Sequence, residues 1–382
     1  MKVTIVGTLP PIKGISEYCI EQANSLSKKA EIEFINFKSI YPEFLYPGGT
    51  KEFDPEFTIK KNKKLQIRNI LTWYNPLSWL HAGLSLQGDL LHIHWWTFYL
   101  FPVLFTIAVC VKIRRKKIIL TVHNVVGHES GTIDVLFSGL MYRMADAFII
   151  HSDTNRQTLT KRFLIPPKNI SIIPYGTLTF YNQHPVTKRR ARKYFRLQND
   201  QKVILFFGTI RKYKGLDVLI RAFFMVRQSI QGVTLLIAGE CWEDWQYYNE
   251  LIEQLSLSEA VIPFIRYIPT SEVQYYYIAS DLLVLPYCHF ESQSGPGTIG
   301  LSFGKAMIVS NAGSLPLLVK NKNCVVSTQN AREYAEAILT VLQNTRFQRE
   351  LENDSRLLST AYASSKSAKM TYGLYKSLRR AE

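Results

Sequence analysis

Two doubly wound α/β domains are what this sequence predicts, on three observations. Its 382 residues exceed what one ordinary hydrophobic core serves and suffice for two. Short, β-rich, almost uninterruptedly apolar runs recur with helix-like stretches between them, the pattern of parallel strands buried on both faces. The alternation then stalls across residues 177–201, which include TFYNQHPVTKRRARKYFRLQNDQ, and afterwards restarts. The expected boundary lies near 180–186.

In order, the first half offers KVTIVG (2–7), the amphipathic run ISEYCIEQANSL as a helix, EIEFINF (31–37), LLHIHW (90–95), KIILTVH (117–123) and AFIIHS (147–152). Between the third and fourth, FYLFPVLFTIAVCVKI (98–113) is apolar enough to suggest a membrane. It is shorter than the roughly 20 residues that span a bilayer and contains Pro102, so it reads as a buried core helix, with an interfacial segment as the alternative because RRKK follows at 114–117. After NISIIPYG and the stall come KVILFFG (202–208), a helix over LDVLIRAFFMVRQ, VTLLIAGE (233–240), VIPFIRYI (261–268), a helix over SEVQYYYIA, DLLVLPY (281–287) and AMIVSN (306–311). Such alternation predicts open parallel sheets, whose ligands bind beyond the carboxyl ends of the strands.

Composition narrows the function classes. The sequence is 47% hydrophobic and 20% charged, as in a folded globular protein. Five scattered cysteines without a C-x-x-C pair indicate neither a disulfide framework nor a zinc site, and predict a cytoplasmic, reduced environment. Two proline residues break the first apolar run too early for a signal peptide. The net charge of +16 is concentrated early: residues 1–196 hold 27 Lys and Arg against 13 Asp and Glu. KKNKK (60–64), RRKK (114–117) and KRRARK (188–193) suit an anionic surface, whether a membrane, an anionic substrate or nucleic acid. No basic recognition helix or aromatic RNA motif is present, so a nucleic-acid partner is disfavoured.

The loops after strands carry the chemistry. Gly7 and Gly14 bracket a turn after the first strand, but no G-x-G-x-x-G fingerprint exists and a nicotinamide enzyme is disfavoured; Gly14 either lets backbone approach a phosphate or only shapes the loop. In KVILFFGTIRKYKGLDVLI, Arg211, Lys212 and Lys214 stand between a strand and a helix start, with Gly208 and Gly215 freeing the turn. Cations stacked on a positive helix end call for an anion, here a diphosphate. The loop CHFESQSGPGTIGLSFGK offers backbone amides and hydroxyls at Ser294, Gly295, Gly297 and Thr298, with Pro296 limiting its regularity and a helix expected from about Thr298 to Gly304. His123 and Asn124 follow a strand. His92 and His94 share one strand face; with only Asp89 nearby to complete a ligand set, they read as a packed or substrate-lining pair, not a metal site. Trp73, Trp79, Trp95 and Trp96 suit stacking on sugars, or packing.

Together FFGTIRKYKGLDVLI, LLIAGE, SDLLVLPY, ESQSGPGTIGLSFGKAMIVSNAGSLP and TVHN, in this spacing, resemble the retaining nucleotide-sugar glycosyltransferases of family 4. The resemblance implies the GT-B fold, two Rossmann-like domains facing an interdomain cleft: an acceptor domain over 1–183, a donor domain over 184–365, and a helix over 366–382 crossing back. It further implies a nucleotide diphosphate sugar held by Arg211 and Lys214, His123 beside the donor sugar, Gly14 near the phosphates, and no cofactor or required metal. The family's two glutamates, seven residues apart between them, fall on Glu291 and on Ile299. The sugar-facing acid is therefore kept and the ribose-facing one replaced, with Glu240 the expected substitute. A saccharide or lipid-linked acceptor near His94, Trp95, Trp96 and Asn124, in cell-surface polysaccharide or glycoconjugate synthesis, is the expectation, with peripheral contact to the anionic inner membrane face through the basic first half. An inactive relative, a nucleotide-sugar epimerase and an inverting enzyme are the alternatives.

Overall fold

A computed structural model describes all residues except 11, 13–14, 42–58, 60–61, 126–130, 183–185, 291–292 and 381–382. The chain divides into two compact units, one of residues 1–176 and 362–382 together with Gln293, the other of 177–290 with 294–361. The first stretch of the first unit ends at Gly176. The segment after it, which looks structureless in sequence, belongs to the second unit because Arg192 and Lys188 pair with the nearly buried Asp281 at 2.9 and 2.6 Å.

The first unit is built on strands β1 (Lys2–Gly7), β2 (Glu31–Ser39), β3 (Leu65–Thr72), β4 (Leu90–Trp95), β5 (Ile118–Val122), β6 (Ala147–Ile150) and β7 (Ile170–Ile172). All pair in parallel, in the order β3-β2-β1-β4-β5-β6-β7. Helices α1 (Ser16–Leu26), α2 (Pro76–Ser85), α3 (Phe101–Ile113), α4 (Thr132–Arg143) and α5 (Asp153–Phe163) flank the sheet. Strand alternation divides the core in two: Leu91, Ile93 and Trp95 enter one cluster with α3, while Val3, Ile5 and Ile119 enter the other with α1. The expected core helix begins as a 3-10 turn at Phe98–Leu100 and continues as α3, burying Val103, Leu104, Ile107, Ala108 and Val111. Among the described residues no helix is long and apolar enough to cross a membrane.

The second unit contains β8 (Val203–Phe207), β9 (Thr234–Ala238), β10 (Val261–Phe264), β11 (Leu282–Leu285), β12 (Ala306–Ser310) and β13 (Val325–Val326), parallel throughout in the order β10-β9-β8-β11-β12-β13. Its helices are α6 (Lys188–Tyr194), α7 (Leu216–Ser229), α8 (Trp245–Gln254), α9 (Thr270–Ala279), α10 (Gly295–Ser302), α11 (Ala331–Gln343) and α12 (Thr345–Ala361). The run VIPFIRYI is a strand only to Phe264, after which Arg266 turns outward to Glu272. The helix expected from Thr298 begins at Gly295. Pro296 is no obstacle, because a proline in the first turn lacks only an N–H that the helix cannot use.

The last helix, α13 (Ser364–Arg380), belongs to the first unit, where it packs on α1. Ser367 Oγ donates to Pro174 O at 2.8 Å, and the Tyr375 hydroxyl, fully buried, lies 2.6 Å from His92 Nδ1. Tyr375→Phe is expected to cost about 1–2 kcal/mol of stability by leaving a buried imidazole nitrogen without its partner, measurable as a lowered urea midpoint.

Candidate functional site

In the second unit the strand order reverses between β8 and β11, and in such sheets this switch point opens a crevice at the carboxyl ends. Three post-strand loops converge there. The loop after β8 carries Gly208, Arg211, Lys212, Lys214 and Gly215; that after β9 carries Glu240 and Trp242; that after β11 carries Tyr287 and leads into α10. Gly208 has φ +106°, and a Cβ there would lie 2.8 Å from Pro296 Cγ and 3.4 Å from Lys214 Nζ. The first turn of α10 and the ammonium therefore both sit against this one glycine.

Lys214 is 8% exposed, and its Nζ lies 5.5 Å from the ring centroid of Tyr287, a cation on an aromatic face. Arg211 is half-buried with its guanidinium 5.5 Å from the ring of Tyr213 and 5.7 Å from that of Trp242. The turn is held from both sides. Lys212 N donates to Glu243 Oε1, whose other oxygen accepts from the Tyr248 hydroxyl at 2.9 Å. Ile210 N donates to Glu240 O at 2.7 Å, which brings Glu240 alongside the cation loop. Gly215, at φ +66°, caps the turn, and a Cβ there would sit 2.1 Å from Pro286 O. Gly215→Ala is expected to lose about 3 kcal/mol, from backbone strain plus a clash that no rotamer relieves; urea unfolding of the variant tests this.

At the start of α10, the hydroxyls serve the helix itself. Ser294 Oγ accepts from Gly297 N and meets the Tyr287 hydroxyl, both at 3.2 Å, while Thr298 Oγ1 donates to Gly295 O at 2.9 Å. Both side chains are buried, with their hydroxyls engaged within the turn. With Gly297 N and Thr298 N donating to Ser294 and Pro296 lacking an N–H, the loop offers the Gly295 amide and the positive end of α10, fixed further by Tyr277 OH donating to Pro296 O at 2.9 Å. Ile299 is 3% exposed, packed inward as an aliphatic should be. Glu291 and Gly14 lie outside the described residues.

In the first unit the switch point lies between β1 and β4. The carboxyl ends of β4, β5 and β6 bring together His94, His123 and His151, with His92 one pleat below His94. His94 Nδ1 and His123 Nε2 are 3.1 Å apart, so the tautomer of one ring sets that of the other. His92 is held between the Tyr375 hydroxyl and Thr121 Oγ1, each at 2.6 Å, and His151 Nδ1 lies 2.8 Å from Ile173 O. Tyr18 of α1 lies edge-on over His94 and His123, with ring centroids 5.5 and 4.9 Å away. Burial disfavours the charged forms: His92 is lowered to about 3 and His151 to about 4, while His94 and His123 fall well below the usual imidazole value, helped by each ring's histidine neighbours. The same burial pushes the Cys19 thiol up to about 12. At neutral pH these rings donate and accept hydrogen bonds without carrying charge.

Trp95 departs from the acceptor-lining expectation. It is 1% exposed and faces the opposite side of β4 from His94, in the core beside Tyr142. Trp96 is half-buried and its carbonyl accepts from Asn124 Nδ2 at 3.0 Å, which puts Asn124 next to His123 in a fixed orientation. Sequence reasoning missed His151, Tyr18, Tyr213, Trp242 and Tyr287. One signal for His151 was available: like His123, it is the first residue past its strand.

A model described as Glycosyltransferase Family 4 matches residues 12–177 and one described as Glycosyl transferases group 1 matches 187–357. A D-inositol 3-phosphate glycosyltransferase of Corynebacterium aurimucosum is 26% identical over 52% of this chain and 49% of its own length; spore coat protein SA of Bacillus subtilis is 24% identical over 54% and 58%. The chain thus spans about half the length of the curated relatives it matches. Among solved structures, sucrose-phosphate synthase from Thermosynechococcus elongatus superposes with a TM-score of 0.75 over 100% of both chains at 17% identity. Anabaena HepE in complex with UDP gives 0.77 over 99% and 100% at 16% identity. At these identities the likeness establishes the fold, GT-B.

Proposed function

Because the chain belongs to the family 4 glycosyltransferases, we propose that it moves a hexose-type sugar from a nucleotide diphosphate sugar to a saccharide or lipid-linked saccharide, with retention at the anomeric carbon. The observation that carries the reading is the nearly buried Lys214 at the switch point of the second unit, beside Gly208 and the first turn of α10. A buried ammonium on a helix N-terminus gains most when an anion binds. A diphosphate matches that charge, and HepE, of the same fold, is described in complex with UDP. In this reading Arg211, Lys214, the Gly295 amide and the positive end of α10 hold the diphosphate, and Glu240 stands near enough to the turn to take the ribose contact that Ile299 cannot make.

Transfer develops negative charge on the departing diphosphate and positive charge on an oxocarbenium-like sugar. Preorganised cations and amides stabilise the first. The bond from the anomeric carbon to the phosphate oxygen breaks, the acceptor oxygen bonds to that carbon on the same face, and its proton passes to the departing phosphate oxygen. No protein nucleophile is required. Glu291 is read as orienting sugar hydroxyls, Gly14 as meeting the phosphates, and His123, neutral by burial, as a hydrogen-bonding group for the sugar. His94, Trp96 and Asn124 are read as lining the acceptor side. In this reading the protein needs no metal and works at the anionic inner face of a membrane, in cell-surface polysaccharide or glycoconjugate synthesis.

A thermal-shift panel of UDP, GDP, ADP and their sugars tests the donor, since a ligand that binds only the folded state raises Tm. The selected donor, incubated with saccharide acceptors with and without EDTA, then gives the product anomer. Failure of every nucleotide to raise Tm would sink the reading; turnover unchanged by Glu291→Ala would remove that residue from it.

A further inference from the structure

Building on the reading of a protein peripheral to an anionic membrane, we propose that the docking surface is the outer face of α2 together with the basic turn at 114–117. Helix α2, PLSWLHAGLS, contains no charged residue. Its inner side is fixed by contact: Ala82 is fully buried, and a Cβ at Gly83 would lie 2.6 Å from Cys110 Cβ, so α2 and α3 pack without room for a side chain. On the outer side Leu77, Leu80 and Leu84 recur at helical spacing and are 73%, 42% and 61% exposed. Water-facing helix sides are ordinarily polar. Trp73 and Tyr74, also exposed, precede the stripe.

Its other end meets charge. Ile113, 76% exposed, ends α3, and Arg114 follows. Arg114 Nη1 donates to the carbonyls of Leu84 at 2.9 Å and Leu86 at 3.2 Å, which ties the basic turn to the end of the leucine stripe. Beside it is a hollow of about 440 Å³ in which Arg114, Arg115, Lys116, Lys117 and Arg379 face one carboxylate, Asp89. Asp89 lies 3.7 Å from Arg379, and Lys117 also pairs with Asp146 at 3.8 Å. Positive charge remains in excess. Partial burial, and after it the neighbouring Arg114, lower the Lys116 pKa against the opposing pull of Asp89 and Glu33.

An anionic phospholipid surface satisfies both halves. Headgroup phosphates meet the hollow, the leucines enter the acyl boundary, and Trp73 and Tyr74 lie at headgroup level. A second copy of this chain brings the same cations against themselves, and nucleic acid leaves the leucines uncovered.

The test is flotation of the full chain with vesicles of phosphatidylcholine alone and of phosphatidylcholine with phosphatidylglycerol. Wild type is expected to float only with the mixed vesicles. The triple variant Leu77→Ser, Leu80→Ser, Leu84→Ser is expected to partition at least roughly tenfold less, at any salt concentration. Arg115→Asn with Arg379→Ser is expected to lose roughly fivefold per charge, an effect that added salt mimics; Arg115 has φ 55°, which asparagine tolerates. Neither variant touches the cation turn of the second unit, so nucleotide-induced Tm shifts should match wild type. Wild type that stays unbound overturns the membrane reading as well. Wild type that floats while the leucine variant floats equally well overturns this surface alone, as does a leucine variant that loses only self-association in sedimentation.

Discussion

Lys214→Met is expected to lower kcat by about a hundred- to a thousandfold on the donor selected by the thermal-shift panel, the scale seen when one preorganised group facing transition-state charge is removed. Methionine keeps the length and volume of the lysine stem and removes the charge and its N–H donors, so packing against Tyr287 and Gly208 persists. A variant that stays folded while kcat collapses separates an electrostatic role from a structural one. Nucleotide affinity should fall less than kcat, since charge on the departing diphosphate grows only as the sugar bond breaks. The assignment fails if kcat stays within threefold of wild type, or if activity falls only in step with folded protein. Arg211→Lys is a milder companion: it keeps charge but forfeits the planar group lying near both Tyr213 and Trp242.

What could be read in advance follows from how each element is buried. β1, β8, β9, β11 and β12 are covered on both faces, and their apolar runs identify them without regard to period. β3 stands at a sheet edge as LQIRNILT, with Gln66 and Asn69 exposed and Arg68 reaching Glu33 at 2.8 Å, so no continuous apolar run marks it. β13 is only two residues long. α10 was legible as a glycine-rich loop but not as a helix from residue 295, because helix propensity counts glycine and proline against it, while the fold uses them at its first turn. The cation turn was visible because Arg211, Lys212 and Lys214 are neighbours in sequence. Its aromatic frame was not, since Trp242 and Tyr287 come from other loops that only the order β9-β8-β11 brings together. The histidine cluster divides in the same way: His92 and His94 share a strand face, whereas Tyr375 arrives from the far end of the chain.

Acidification is expected to loosen the first unit well before the second, because its four clustered histidines are neutral in the fold. An exposed imidazole titrates near pH 6.5; in the structure burial lowers His92 to about 3 and His151 to about 4, and His94 and His123 well below the ordinary value. Below pH 6.5 the unfolded chain therefore binds protons that the folded one refuses. Stability falls as pH falls, being complete above about 6.5 and lost progressively toward the folded values. His151 alone contributes about 2 kcal/mol of this loss between pH 7 and pH 5. The neighbouring rings act in the same direction without adding fully, since protonating one raises the cost of the next. Among the described residues the rings facing the cluster stay neutral: Tyr18, Tyr175 and Tyr375 are pushed above the usual phenol value, chiefly by burial. Hydrogen exchange at pH 7 and pH 5, corrected for intrinsic rates, checks this with β8, β9 and β11 as internal reference: protection of β4, β5 and β6 should fall by orders of magnitude more. His151→Phe loses the contact to Ile173 O and is weaker at every pH, yet its dependence on pH should be shallower by nearly one proton. Equal loss of protection in both sheets, or an unchanged slope in that variant, would show that the rings already titrate in the fold.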